Sequence, residues 1–299
     1  MSHLSPKQAA QALGVSESSV KRWCDLGTVP VIRTAGGHRR IPLKSLEDFL
    51  SGGADLSSTA DPGSRANSDE DQKPSVSPSD TRDQGDRLVQ IQARFAHALV
   101  EGDEDDARSL IAELIESGFA KAQAVDFLVT DAMRRLGVRW ENGELAIYQE
   151  RRACGICSSL MQELRRSIAT PEGAPIAIGG AASGDLYQLP TQMIELALCE
   201  MGWKATSLGC NLPIESFTEA IREYKPQLLW LSLSDVPDRE RLVVDFNQMV
   251  DHLPEETVVI IGGRAATDSL RPRLRYSAHC DSLDHLMLLT SRIRAKLQT

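Results

Sequence analysis

From Asp86 to about Ser167 the apolar positions recur at spacings of three and four. Leu88, Ile91, Phe95 and Leu99 make one stripe, and Ala107, Leu110, Ile111 and Leu114 a second. Val125, Leu128, Val129, Ala132 and Leu136 make a third, and Ala153, Ile156, Cys157, Leu160 and Leu164 a fourth. Stripes of this period with short connections predict four amphipathic helices packed as a four-helix bundle. After Pro171 the period changes. The short runs PIAIGG, KATSLG, QLLWLSLS and TVVIIGG alternate with helical stretches around 191–201, 213–224, 238–251 and 283–296. Apolar runs bounded by Gly or Ser and separated by single helices predict parallel strands covered on both faces, an open α/β sheet. The loops at the carboxyl ends of such strands are its default ligand site.

The first fifty residues follow another pattern. Ser5-Pro6-Lys7-Gln8 is a helix start, with a cap, a proline at the first helical position and a Gln three residues after the cap. Ala9, Ala12 and Leu13 follow, Gly14 permits a tight turn, and Ser16 caps a second helix over 17–26 whose inner face is Val20, Trp23 and Cys24. Two short helices so arranged are the geometry by which a second helix enters a major groove. Ser18, Ser19, Lys21 and Arg22 are its outward candidates for base edges and phosphates. The segment Val31 to Ile41 has two apolar ends around Gly36-Gly37, which predicts a hairpin. It would carry Arg33, His38, Arg39 and Arg40, cations able to clamp phosphate. The plainer alternatives are a generic helical hairpin and a solvated basic loop.

Charge divides the chain in the same places. Of 299 residues, 33 are Lys or Arg and 42 Asp or Glu, for a net charge of −9. The first 52 nevertheless hold seven basic and four acidic residues, a net of +3, whereas 53–84 hold seven acidic and three basic, a net of −4. A chain acidic overall repels nucleic acid, so contact with DNA must come from the basic head. The stretch from Gly53 is Ser, Asp, Pro and Gly with almost no large apolar side chain, which predicts a disordered tether. The expected organisation is therefore a DNA-binding head over 1–52, an acidic linker over 53–85, a helical bundle over 86–170 and an α/β domain over 171–299. Six cysteines are too dilute for a disulfide scaffold, and no apolar run reaches the ~18 residues of a membrane span. A cytoplasmic protein with no membrane partner is expected.

The segment LSPKQAAQALGVSESSVKRWCDLGTVPVIRTAGGHRRIPLKSLEDFL resembles the winged helix-turn-helix domain of MerR-family transcription regulators, including Trp23, Gly27, Pro30 and the GGHRR turn. The resemblance implies a dimeric binder of double-stranded DNA at an inverted-repeat operator. It departs from the metal- and drug-sensing members in having no long dimerisation helix directly after the domain. A homo-oligomer, at least a dimer, is then expected to be assembled by the body.

From about Asp86 to Thr299 the chain resembles the sensory half of the cobalamin-dependent, light-responsive repressors related to MerR, and the cobalamin modules of methionine synthases and corrinoid proteins. That implies a Rossmann-like (flavodoxin-like) cobalamin-binding-type domain. The sensor family's bundle signature is a capping Trp followed, after nine intervening residues, by Glu-His. Here Trp140 and Glu150 match, and Arg151 stands where the His is expected. After the first strand the resemblance implies Gly-Asp-x-His-x-x-Gly, the His on cobalt and the Asp orienting it. The sequence reads Gly184-Asp185-Leu186-Tyr187-Gln188-Leu189-Pro190, with Tyr187 for the His and Pro190 for the Gly. A phenol is a poor substitute for neutral imidazole at a transition metal. Leu208-Gly209, Ser232, Ser234 and Ile261-Gly262-Gly263 match segments that line the nucleotide-tail channel in those relatives. The degenerate pocket is thus Trp140, Glu150, Arg151, Asp185, Tyr187, Ser232, Gly262 and Gly263.

With the expected imidazoles replaced, no cofactor and no metal are expected, the alternative being cobalamin held without a His ligand. Cys154 and Cys157 form a CxxC inside a helical stripe, where buried core cysteines are expected rather than a redox pair or zinc site. Glu150 and Asp185 could be paired carboxylates for acid–base work, but no nucleophile motif, P-loop or Gly-x-Gly-x-x-Gly supports an enzyme. The expected function is a sequence-specific, cobalamin-independent repressor whose C-terminal region oligomerises it. The alternative is a regulator that senses cobalamin or another small ligand, with light as a further input.

Overall fold

The computed structural model describes residues 3–4, 32–33, 39–42 and 78–297. Two compact units divide the chain, 1–74 and 75–299.

In the first unit, β1 (His3–Leu4), β2 (Ile32–Arg33) and β3 (Arg39–Pro42) form a three-stranded antiparallel sheet in the order β1-β3-β2. β2 pairs with β3 in the register Ile32↔Arg40 and Arg33↔Arg39, the pairing of the hairpin expected around Gly36-Gly37. His3 and Leu4 add a third strand through His3↔Pro42 and Leu4↔Ile41, which no apolar pattern announces. Ile41 is fully buried. Ser18, Ser19, Lys21, Arg22 and His38 lie outside the described residues, as does most of the expected linker.

The second unit opens with four helices: α1 (Pro78–Glu101), α2 (Glu104–Glu116), α3 (Lys121–Glu141) and α4 (Ile147–Arg166). All four expected stripes face one shared core, from Phe95 and Leu99 through Leu110 and Leu128 to Leu160. The first helix starts earlier than the periodicity suggests. Residues 78–85, expected in the linker, are its first two turns, because Pro78 suits a first helical position although no apolar residue marks the start. The second helix is capped by Asp103, whose carboxylate accepts from the Asp106 amide at 3.0 Å.

β4 (Ile176–Ala181), β5 (Lys204–Ser207), β6 (Leu228–Ser232), β7 (Val258–Gly262) and β8 (Ala278–Cys280) form a parallel sheet in the order β5-β4-β6-β7-β8. The interleaved helices are α5 (Gln188–Glu200), α6 (Ile214–Tyr224), α7 (Arg239–Val250) and α8 (Leu283–Leu297). β6 is buried along its whole length, as a central strand covered on both faces must be. β8 is not among the expected strands, since Ala-His-Cys is no apolar run; β7 supplies its pairing through Ile260↔Ala278 and Gly262↔Cys280. α5 begins three residues before the expected helix, so Pro190 sits in its first turn, where a missing N–H costs nothing, rather than in the loop.

Helices α6 and α7 cover one face of the sheet around Phe217 and Phe246, while α5 and α8 cover the other. The core on the α5 side is continuous with that of α1–α4. Polar contacts stitch the same seam. Arg165 donates to Glu195 at 2.9 Å, Gln192 donates to Ser158 at 2.9 Å, and the Glu200 carboxylate accepts from the amides of Lys121 and Ala122 at 2.8 and 2.9 Å.

Candidate functional site

The loops after β4, β5, β6 and β7 meet at the carboxyl edge of the sheet, and Asp185 ties three of them together. Its side chain is 1% exposed. Oδ1 accepts from the Tyr187 amide at 3.0 Å, while Oδ2 accepts from the amides of Ser234 at 2.6 Å and Asp235 at 3.2 Å. Its carbonyl accepts from the Asn211 amide at 2.8 Å. A buried carboxylate that receives three amides is well satisfied, so Asp185 acts first as a clamp on the loop backbone. This differs from the orienting role the resemblance implies, because both oxygens are engaged by main chain.

Gly184 takes φ +88, and a side chain there would meet the Pro237 ring at 2.9 Å. Its amide donates to Asn211 Oδ1 at 2.8 Å. Tyr187, 46% exposed, precedes the first turn of α5 without capping it. The Arg264 guanidinium lies over its ring, and Arg264 Nε donates to the Ser234 carbonyl at 2.8 Å. Ser232 is buried at the end of β6, level with Gly262 in the sheet register. Gly262 approaches the Cys280 carbonyl so closely that a side chain would lie 2.7 Å from it, and Gly263 turns the chain toward the Leu233 carbonyl.

The helical side carries the other expected residues. Ser158 and Arg165 of α4 meet Gln192 and Glu195 of α5, so the two helices run the same way. α4 reaches eleven residues back from Ser158 to Ile147, about 16 Å, whereas α5 reaches only about 6 Å back from Gln192 to Gln188. The first turns of α4 therefore overhang the start of α5. They carry Ile147 and Tyr148, both exposed, and Trp140 at the end of α3 is 52% exposed. Exposed Leu186 and Tyr187 stand on the loop leading into α5. Large exposed apolar side chains on the overhang and on the loop suit a broad, flat, partly apolar ligand.

Glu150 and Arg151 form only a weak mutual pair at 3.6 Å, and Arg151 is exposed. Glu150 Oε1 also accepts from the Cys154 thiol at 3.3 Å. Burial, with the Glu150 carboxylate beside it, pushes that thiol up to about 12, and burial raises Cys157 further. Both stay protonated at neutral pH, the opposite of a redox-active pair. Glu150 and Asp185 are not brought into contact as paired carboxylates. Sequence reasoning missed Arg264, Asn211 and Trp230; only Trp230 left a signal, as the one aromatic in a buried aliphatic strand.

Residues 4–54 match a helix-turn-helix domain, and residues 91–165 match a B12 binding domain. An N-terminal helix-turn-helix domain and a B12 binding domain are thus both present. The chain is 20% identical over 213 residues to trimethylamine corrinoid protein 1 of Methanosarcina acetivorans, covering 70% of this chain and 97% of that protein. It is 24% identical to the trimethylamine corrinoid protein of Methanosarcina barkeri over 47% of this chain and 66% of that one. The monomethylamine corrinoid protein structure from Methanosarcina barkeri shares the fold, with a TM-score of 0.56 at 16% identity over 68% of this chain and 98% of that chain. Among the described residues no helix is long and apolar enough to cross a membrane.

Proposed function

We propose that this chain is a DNA-binding transcription regulator of the MerR type whose body takes a corrinoid at the carboxyl edge of the sheet. The observation that carries the reading is the presence, in one chain, of a helix-turn-helix match over 4–54 and a B12 binding match over 91–165. The relatives are named as corrinoid proteins, which favours the cobalamin-sensing alternative over a body with no cofactor. The basic head supplies what those names do not, a reason to meet DNA.

In this reading Lys21, Arg22, Arg39 and Arg40 dock on phosphates while Ser18 and Ser19 approach base edges. The four helices act as a four-helix bundle over the α/β domain, and the body joins at least two chains so that two heads engage an inverted repeat. Pairing raises modest single-head affinity through effective concentration. The corrinoid acts as an effector, and the chain acts by binding rather than by catalysis, most simply as a repressor.

Footprinting on DNA upstream of the chain's own gene, with and without adenosylcobalamin, in darkness and in light, tests this. A protected inverted repeat whose occupancy changes with the corrinoid is expected. Protection indifferent to every corrinoid would return the body to a purely oligomerising role, and no protection would remove the DNA-binding reading.

A further inference from the structure

If the body takes a corrinoid, as proposed above, Asp185, Tyr187 and Trp230 together restrict how that ligand can sit on this edge. Cobalamin satisfies the lower face of its cobalt either with its own dimethylbenzimidazole, carried on the nucleotide tail, or with a donor from the protein once that base is displaced. Displacement requires a good donor and room to stow the tail.

The donor is missing from the loop after β4. Tyr187 offers a phenol, useful to cobalt only as phenolate, and the neighbouring acid that could take its proton is engaged: both Asp185 oxygens accept main-chain amides. The described imidazoles of the second unit lie elsewhere. His97 stands on the exposed side of α1 with Gln90 and Arg94. His252 precedes β7, at the opposite end of the strands, with Nδ1 2.9 Å from the Gln248 carbonyl. His279 lies between Arg271 and Asp281 on β8, three strand spacings from β4, on the order of 14 Å. His285 follows Asp284, which accepts from Gln123 at the start of α3, about 25 Å along that helix from Trp140.

The room is filled. The Trp230 indole leans from β6 across β4, where a side chain at Gly179 would collide with it. Its Nε1 donates to Thr191 Oγ1 in the first turn of α5 at 3.0 Å. Thr191 Oγ1 shares a hydrogen bond with Ser207 Oγ at 3.1 Å, and Ser207 Oγ accepts from the Gly209 amide at 3.3 Å. Trp230 and Thr191 are 1% and 0% exposed. The interval between the sheet and the start of α5 is thus closed by a satisfied indole; opening it would strip buried hydrogen bonds along with aromatic packing.

We infer that the body binds complete cobalamin with the ligand's own base on the cobalt, recognised through the exposed apolar side chains of the α4 overhang and the loop before α5, and with no imidazole of the body on the cobalt. The test is electron paramagnetic resonance of the full-length protein, prepared with natural nitrogen or with nitrogen-15 and loaded with cob(II)alamin or with cob(II)inamide, which lacks the base. With cob(II)alamin a nitrogen triplet is expected from both protein preparations, and with cob(II)inamide it is expected to vanish. A triplet that becomes a doublet in nitrogen-15 protein, or nitrogen splitting that survives with cob(II)inamide, shows a ligand from the chain and overturns the inference. If neither corrinoid co-elutes with the protein, the corrinoid reading itself falls, and this inference with it.

Discussion

The guanidinium carbon of Arg264 lies 4.6 Å from the centre of the Tyr187 ring, joining the loop after β7 to the loop after β4. Because Arg264 also donates to the Ser234 carbonyl, one side chain spans three of the four loops at the candidate site. Arg264→Ala is expected to lower stability by about 1 kcal/mol, the combined scale of an exposed cation–π contact and one hydrogen bond. Arg264→Lys should recover only part of it, since an ammonium lacks the planar fork. Urea midpoints of the three proteins check this; an alanine variant equal to wild type would mean that Tyr187 is not held by its neighbour.

Glu200 is expected to act as a remote helix cap. Ala120 precedes α3 without a side-chain acceptor, and the carboxylate that takes the Lys121 and Ala122 amides comes from the end of α5. Glu200→Ala should cost about 1–2 kcal/mol, and Glu200→Gln less, because one oxygen remains. Faster hydrogen exchange at those two amides in the alanine variant would locate the loss at the cap.

Asp126 gives a pH signature. Burial pushes its carboxyl above the usual carboxylate range; a hydrogen bond from Thr130 opposes the shift and the nearby Asp284 adds to it. The unfolded chain gives up that proton near pH 4, before the native one does, so native stability falls as pH rises through the interval between them. Asp126→Asn removes the penalty. The variant should be more stable than wild type at pH 7, with the gain vanishing below about pH 3. A gain independent of pH would assign the effect to packing instead.

The paired cations of the hairpin predict a salt dependence. Arg39→Ala with Arg40→Ala should weaken binding to all DNA sequences and reduce the slope of log affinity against log salt by roughly 2, about one per phosphate contact. Titrations across a salt series measure the slope, and an unchanged value would remove these residues from the interface.

The elements with a strong period were legible in the sequence: four helical stripes, four strands, the three crossover helices and the last helix all appear where apolar spacing puts them, with α1 and α5 starting earlier. What periodicity could not supply is long-range. β8 has too little apolar character to announce itself and exists because β7 offers it hydrogen bonds. The extra turns before Asp86 lack an apolar stripe, so only Pro78 hinted at them. Asp185 was visible as a site residue, but its partners at Ser234 and Asp235 stand about fifty positions away. Trp230 reads as one more core aromatic until its contact with Thr191 places it under the start of α5.

The unbroken core from α1 to the α5 side of the sheet also bears on kinetics. Prising the helical layer from α5 would wet side chains such as Leu160, Leu189 and Met193 together, making wholesale parting of the layers a rare, slow event close in scale to unfolding. On the reading proposed above, a corrinoid would have to enter without that parting, and its on-rate should be insensitive to mild denaturant.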